Sequence, residues 1–199
     1  MADWDEDSPK LRANLVDVLR GVRDAAARRN IPSASDALRW QSNTMKGVKV
    51  PDARYVGRFR GTKGLEKVRV SIGLHEGVAP SHVASELAEF QRKLRAAVGK
   101  LDTRYAAGAD LDIDGLEAVL ELAAWAHAEL VRIHPFANGN GRTARLWANY
   151  VLMRYGLPPV VRLRPRPDGG YGAAGVAAMA GDWEPTAAVF RKLLLDELS

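Results

Sequence analysis

A helical stripe that stops and restarts within a few residues most limits how this chain can fold. Leu116, Val119, Leu120, Ala123, Ala126, Leu130 and Ile133 recur at helical spacing and predict a helix over roughly 113–134. Pro135 disfavours helical backbone at the residue before it, so the helix must end with His134 at its tip. Two Asn-Gly pairs follow, at 138–139 and 140–141, and encode a tight turn in which glycine permits unusual φ and close approach of a ligand. A second helix runs from about Gly141 to Tyr155, where Gly156-Leu157-Pro158-Pro159 stops it.

The rest of the chain reads mostly as helix. Leu11, Leu15, Val18, Leu19 and Val22 mark an N-terminal helix ended by Asn30-Ile31-Pro32, and Ser33 to Asp36 cap another over Ala37–Met45. Helical pattern resumes at Pro80 and runs to about Val98, and a last helix covers Pro185–Leu198; Arg162–Gly175 reads as loop. Residues 55–60 and 66–72 alternate instead and are rich in β-branched and aromatic side chains, with Gly61-Thr62-Lys63-Gly64 between them. They predict a hairpin with Val68, Val70 and Ile72 inward and Lys67, Arg69 and Ser71 outward. The fold class expected is mostly α: one compact helical domain with a single β-hairpin, in which the helices of 1–47 pack on a unit formed by 48–199.

At 199 residues the chain can enclose its own core, and 47% hydrophobic with 27% charged residues argues against disorder. Without cysteine there is no disulfide scaffold, no Cys-zinc site and no thiol catalysis. The acidic start, Met1 to Asp7, has no apolar run, and no stretch is apolar enough to span a membrane, so a cytoplasmic protein is expected. A net charge of +5 favours anionic partners.

The turn after His134 is where an anion would sit. The second helix opens into it with its N–H groups and positive dipole end. Arg142 and Arg145, three apart in its first turns, share nearly one face, and arginine suits a bidentate grip on phosphate. The plainer alternative is a Gly-rich connector with Asn140 as cap and both arginines solvated. Convergence of all these features on one small volume favours the anion site. His75, His82 and His127 form no metal-binding pattern with His134.

The twelve residues from His134 to Arg145 resemble the signature of the Fic family (filamentation induced by cyclic AMP), His-x-Phe-x-Asp/Glu-Gly-Asn-Gly-Arg-x-x-Arg. Residues 55–72 resemble that family's flap, and Gly181-Asp182-Trp183-Glu184-Pro185 resembles its Gly-Asp-x-x-Pro turn. The resemblance implies a Fic-like helical domain and a nucleotidyltransferase that moves AMP from ATP to a Ser, Thr or Tyr hydroxyl of a target protein. It assigns His134 as general base, Phe136 as loop anchor, and Gly139, Asn140 and Gly141 as phosphate cradle. Arg142 would then serve the β-phosphate and Arg145 the γ-phosphate. It also implies Mg²⁺ and a target protein bound along the flap edge, for which Arg58, Arg60, Lys67 and Arg69 are the candidates. Those basic residues read equally well as a solvated edge that discourages aggregation.

Two departures from the family pattern stand out. Asn138 occupies the place of the motif's Asp/Glu, so Mg²⁺ would be held by an uncharged amide oxygen, weakly or through the phosphates. Many relatives also carry an inhibitory Ser/Thr-x-x-x-Glu-Gly/Asn helix whose Glu pairs with the second motif arginine. Ser42 to Gly47 resemble it with Lys46 in place of Glu, so no clamp in cis is expected and any inhibitor would be a separate protein. The rival readings are another nucleotide or phosphoryl transfer on the same scaffold, a weakly catalytic nucleotide-binding module, and a nucleic-acid binder using Arg154, Arg162, Arg164 and Arg166. The last is disfavoured because no DNA-reading motif accompanies that cluster.

Overall fold

The computed structural model describes residues 8–31 and 33–199. Seven α-helices and one short hairpin appear among them. In chain order these are α1 (Pro9–Ala27), α2 (Ala34–Thr44), β1 (Ser71–Ile72), β2 (His75–Glu76), α3 (Val83–Arg104), α4 (Ile113–Ile133), α5 (Asn140–Arg154), α6 (Tyr171–Met179) and α7 (Glu184–Leu198). The acidic start and Pro32 lie outside the described residues. No described helix is long and apolar enough to cross a membrane.

Helix α4 is the axis of the bundle. Asp112 caps it by accepting from the Gly115 N–H at 2.7 Å. Its residues are buried on nearly every side, because α3, α5, α6 and α7 all pack on it. Helix α5 lies between α4 and the α1–α2 pair. Trp147 on α5 is buried edge-on against Trp40 of α2 (5.5 Å between centroids) and Phe90 of α3 (5.2 Å). Truncating it to alanine would cost about 3–5 kcal/mol in lost burial and cavity formation. One continuous core runs from Leu11 and Leu15 of α1 to Phe190 of α7. At the far end of α5, Asp102 accepts from Arg29, Arg154 and Tyr155 at 2.6, 2.5 and 2.9 Å, tying α1, α3 and α5 together. Arg154 is therefore a buried structural cation and does not belong to a surface cluster with Arg162, Arg164 and Arg166.

The hairpin differs from expectation. Only four residues pair, Ser71 with Glu76 and Ile72 with His75, around a Gly73-Leu74 turn. Residues 55–70 cross the surface as turns and extended chain. The alternation itself holds: Val70 is buried, Val68 and Ile72 are half-buried, and Lys67, Arg69 and Ser71 are exposed. The two segments do not form a ladder because the chain between them folds around the side chain of Arg60, which takes the Val68 carbonyl at 3.2 Å.

Helix α6 also departs from the sequence reading, which placed loop there. Gly172 and Gly175 weaken its intrinsic propensity. It forms because Tyr171, Ala174, Ala178 and Met179 are buried where α6 packs on α4 and α7.

Candidate active site

His134 ends α4 in the left-handed conformation, with φ 51° and its N–H on the Leu130 carbonyl at 3.0 Å. Its Nδ1 lies 2.9 Å from the Val131 carbonyl. A carbonyl only accepts, so Nδ1 carries the proton and Nε2 of the neutral ring is left as an acceptor. Burial holds the imidazole pKa below its ordinary value; the bond to Val131 opposes this, and the nearby Arg60 cation adds to it. Gly77 passes so close that a Cβ there would sit 2.6 Å from His134 Cβ. Only glycine tolerates this approach of the hairpin stem to the histidine.

Arg60, expected among the exposed docking residues, is instead 1% exposed. Its guanidinium donates to the carbonyls of Ile133, His134, Val68 and Val78, and its own N–H donates to Pro135. Five polar contacts outweigh the tendency of arginine to remain in water, so an alternating pattern that reads as surface hides a buried cation. Of the other candidates, Lys67 and Arg69 are exposed; Arg58 is half-buried and reaches the Lys63 carbonyl at 2.5 Å.

The turn is braced from within and from α2. The Asn140 side chain brackets Phe136, accepting from its N–H and donating to its carbonyl, both at 2.8 Å. Phe136 is fully buried and lies 5.0 Å from the Phe59 ring. Gln41, buried on α2, donates to the Asn138 and Tyr55 carbonyls (3.2 and 3.1 Å) and accepts from Gly57 N–H (2.6 Å). Gly139 takes φ 85°, and α5 starts at the next residue.

His134, the start of α5, the hairpin and the loop after α5 enclose a cavity of about 570 Å³. Gly139, Asn140, Gly141, Arg142 and Arg145 all line it. Arg145 is 6% exposed and has no carboxylate partner among the described residues. Its Nη1 donates to Tyr171 Oη at 3.1 Å and its Nη2 to the Leu163 carbonyl at 2.9 Å, while its buried Nε is unpartnered. A buried cation without a counter-ion is costly and is made good by an external anion. Arg142 is also buried and lies 3.5 Å from the Met45 sulfur.

Sequence reasoning saw Arg164 and Arg166 only as part of a basic cluster and passed over Glu76 and Tyr171, yet the first three line the cavity and the fourth holds Arg145. Trp147 and Asn149 of α5 are buried and do not line the cavity. Asn149 clasps the Val161 backbone at 2.8 and 3.1 Å and so fixes the start of the loop after α5. Ser42 is half-buried beneath Gly57. Lys46 lies beyond the end of α2, exposed, beside Asn14, Asp17 and Arg39, and Gly47 takes φ 70°. Helix α2 therefore stops within positions 42–47, before Lys46.

The surroundings of Asn138 do not suit a protein-held Mg²⁺. Its Oδ1 accepts from the Gly139 N–H and lies 3.4 Å from Arg142 Nη2, so the oxygen faces positive donors. The carboxylate nearest in the lining, Glu76, is paired with Arg69 at 3.1 Å. Among the described residues no three His, Asp or Glu side chains converge as a metal site. Magnesium prefers carboxylate and water oxygens, and this donor set offers neither charge nor a vacant lone pair.

The sequence pattern of the Fic/DOC family matches residues 32–152. Among curated relatives, protein adenylyltransferase fic-1 of Caenorhabditis elegans is 38% identical over 105 residues, covering 53% of this chain and 16% of that protein. The chain spans about a fifth or less of the length of the curated relatives it matches. A Fic domain containing signaling protein from Bacteroides thetaiotaomicron superposes with a TM-score of 0.65 at 19% identity, over 95% of this chain and 69% of that one. The BepC protein of Bartonella tribocorum, solved with bound AMPPNP, gives 0.62 at 17% identity over 94% and 87%. With α2, α3, α4, the turn and its two arginines inside the matched segment, the chain belongs to the Fic/DOC family.

Proposed function

We propose that this chain is the catalytic domain of a protein adenylyltransferase, moving AMP from ATP to a Ser, Thr or Tyr hydroxyl of a target protein. One observation carries the reading: a histidine with Nδ1 tied to backbone and Nε2 available shares a cavity with a helix start bearing a buried arginine that has no carboxylate partner among the described residues. The adenylyltransferase names of its curated relatives and the nucleotide bound in BepC support it.

In this scheme His134 Nε2 takes the proton of the target hydroxyl as its oxygen bonds to the α-phosphorus. The bond from the α-phosphorus to the bridging oxygen breaks, and pyrophosphate leaves. Arg142 and Arg145 take up the charge that grows on the leaving group, and the turn at Gly139, Asn140 and Gly141 cradles the phosphates with the N–H groups of Asn140 and Gly141 at the start of α5. A positioned base contributes about 10²–10⁴-fold. The target docks along the hairpin edge beside Arg58, Lys67 and Arg69, with Leu74 exposed at its tip. Any inhibitor acts as a separate protein.

The test incubates the protein with a lysate and ATP labelled at the α- or the γ-phosphate, beside His134→Ala. Label from α alone, lost in the variant, is the expected result. Label from γ alone would establish phosphorylation instead. Nucleotide binding without covalent label would leave a binding module.

A further inference from the structure

We infer that this site neutralises its polyphosphate with arginines in place of a protein-held divalent cation, Arg164 and Arg166 of the loop after α5 joining Arg142 and Arg145. The inference rests on the nucleotide reading above and specifies how that nucleotide is held.

The observations meet in one cavity. On the turn side, the only oxygen at the motif's acidic position belongs to Asn138, and N–H donors already face it. A divalent ion bound there would lie against the Arg142 guanidinium, at a repulsive distance. The segment after α5 carries Arg164 and Arg166 into the same lining. That segment is anchored at two points: Asn149 clasps Val161, and Arg145 itself donates to the Leu163 carbonyl at 2.9 Å. The residue after Leu163 is Arg164, so a phosphate-facing arginine positions the backbone that delivers the next one. Among the described residues, Arg69 and Glu76 of the hairpin line the cavity beside these four arginines. Arginines converging on one cavity suit a triphosphate, whose charge they offset by bidentate contacts instead of metal coordination.

The experiment measures ATP, ADP and AMP binding by calorimetry, and AMP transfer from α-labelled ATP, each in Mg²⁺ and in EDTA. The wild type, Arg164→Gln with Arg166→Gln, and Asn138→Asp are compared. Expected for the wild type is ATP affinity in EDTA within about threefold of that in Mg²⁺. The double variant should lose about tenfold or more in ATP affinity, less for ADP, and nothing for AMP. Asn138→Asp should bind ATP more weakly in EDTA and recover when Mg²⁺ is added.

Wild-type binding that collapses in EDTA, or a double variant that binds ATP as the wild type does, overturns the inference. Its failure is separable from that of the enzyme reading. Transfer that needs Mg²⁺ sinks the arginine account and keeps the adenylyltransferase. Metal-free binding through these arginines without transfer keeps the arginine account and sinks the enzyme.

Discussion

Arg60 Nε donates to the backbone carbonyl of His134 at 2.7 Å, joining the base of the hairpin to the residue at the tip of α4. The same guanidinium reaches Ile133 at 3.0 Å, Val68 at 3.2 Å and Val78 at 2.9 Å. No carboxylate among the described residues balances it, and burial pulls its pKa down to about 10. It remains cationic at neutral pH, stabilised by the carbonyl end of the α4 dipole. One side chain thereby fixes the left-handed turn at His134 and both stems of the hairpin that walls the cavity.

Arg60→Met should destabilise the fold by roughly 3 kcal/mol or more, since several buried carbonyls lose their donor. Urea unfolding measures this. Arg60→Lys, which keeps the charge but not the fork, is the variant for activity. Its kcat should fall about tenfold or more through misplacement of His134, with little change in KM for ATP. The pH profile separates charge from packing. His134 has a lowered pKa, so kcat/KM of the wild type should lose activity only below pH 6.5. The groups around the ring are Arg69 and Glu76 of the hairpin, Arg142 and Arg145 of α5, and Arg164 and Arg166 of the following loop. With those unchanged, Arg60→Gln removes a cation beside His134 and should move the acid limb to higher pH. Arg60→Lys should leave the limb in place; equal limbs in both variants would refute the electrostatic role.

Gly77→Ala tests the same wall from the other side. The added methyl would meet His134 Cβ at 2.6 Å, and neither atom is the loose end of a flexible chain. The histidine or the hairpin stem must shift. Transfer should fall about tenfold or more while ATP binding, which depends on the start of α5, stays within about twofold. A parallel loss in ATP affinity would show that the hairpin contributes to nucleotide binding instead.

His127 is a structural histidine one step removed from the site. Arginine can only donate, so Arg145 donates to Tyr171 Oη, which in turn is hydrogen-bonded to His127 Nε2, 2.6 Å away. Full burial, with a smaller contribution from the Arg145 cation, lowers the His127 pKa to about 3. The folded protein keeps this ring neutral while the unfolded chain protonates it below about pH 6.5. Its contribution to stability is present above pH 6.5 and is lost as pH falls toward 3, by about 1 kcal/mol per pH unit. His127→Gln, which keeps an acceptor for Tyr171, should flatten that part of the stability profile in denaturant titrations across pH 4–7. Tyr171→Phe should raise KM for ATP about threefold to tenfold by loosening Arg145; an unchanged KM would remove the relay from the site.

How much of this was legible in the chain depends on whether the signal is local. The helices of α4 and α5 and the turn between them follow from a 3.6-residue stripe, one proline and two Asn-Gly pairs, which act on their nearest neighbours. Arg60 gave no such signal: its burial depends on carbonyls more than seventy positions away. Helix α6 was hidden because its glycines lower propensity and only packing restores it. Arg164 and Arg166 looked like part of a surface cluster because the Asn149–Val161 clasp that turns their loop toward His134 is a tertiary contact.

Lys46 is the position where the structure most changes an expectation. Read against the family's inhibitory helix, Lys46→Glu would restore a glutamate able to pair with Arg145 and so block the γ-phosphate. Helix α2 ends at Thr44, however, and the Lys46 carbonyl is fixed by Asn14 Nδ2 at 2.8 Å. The side chain is exposed in a cleft beside Asp17 and Arg39, and Met45 is the residue of this segment that meets the motif, at Arg142. Lys46→Glu should therefore leave AMP transfer and ATP affinity within about twofold of the wild type, a surface change of small effect. Met45→Glu, by contrast, places a carboxylate within reach of the Arg142 guanidinium and should weaken ATP binding by about tenfold or more. Inhibition by the Lys46 variant with none from the Met45 variant would restore the clamp and require α2 to continue past Thr44.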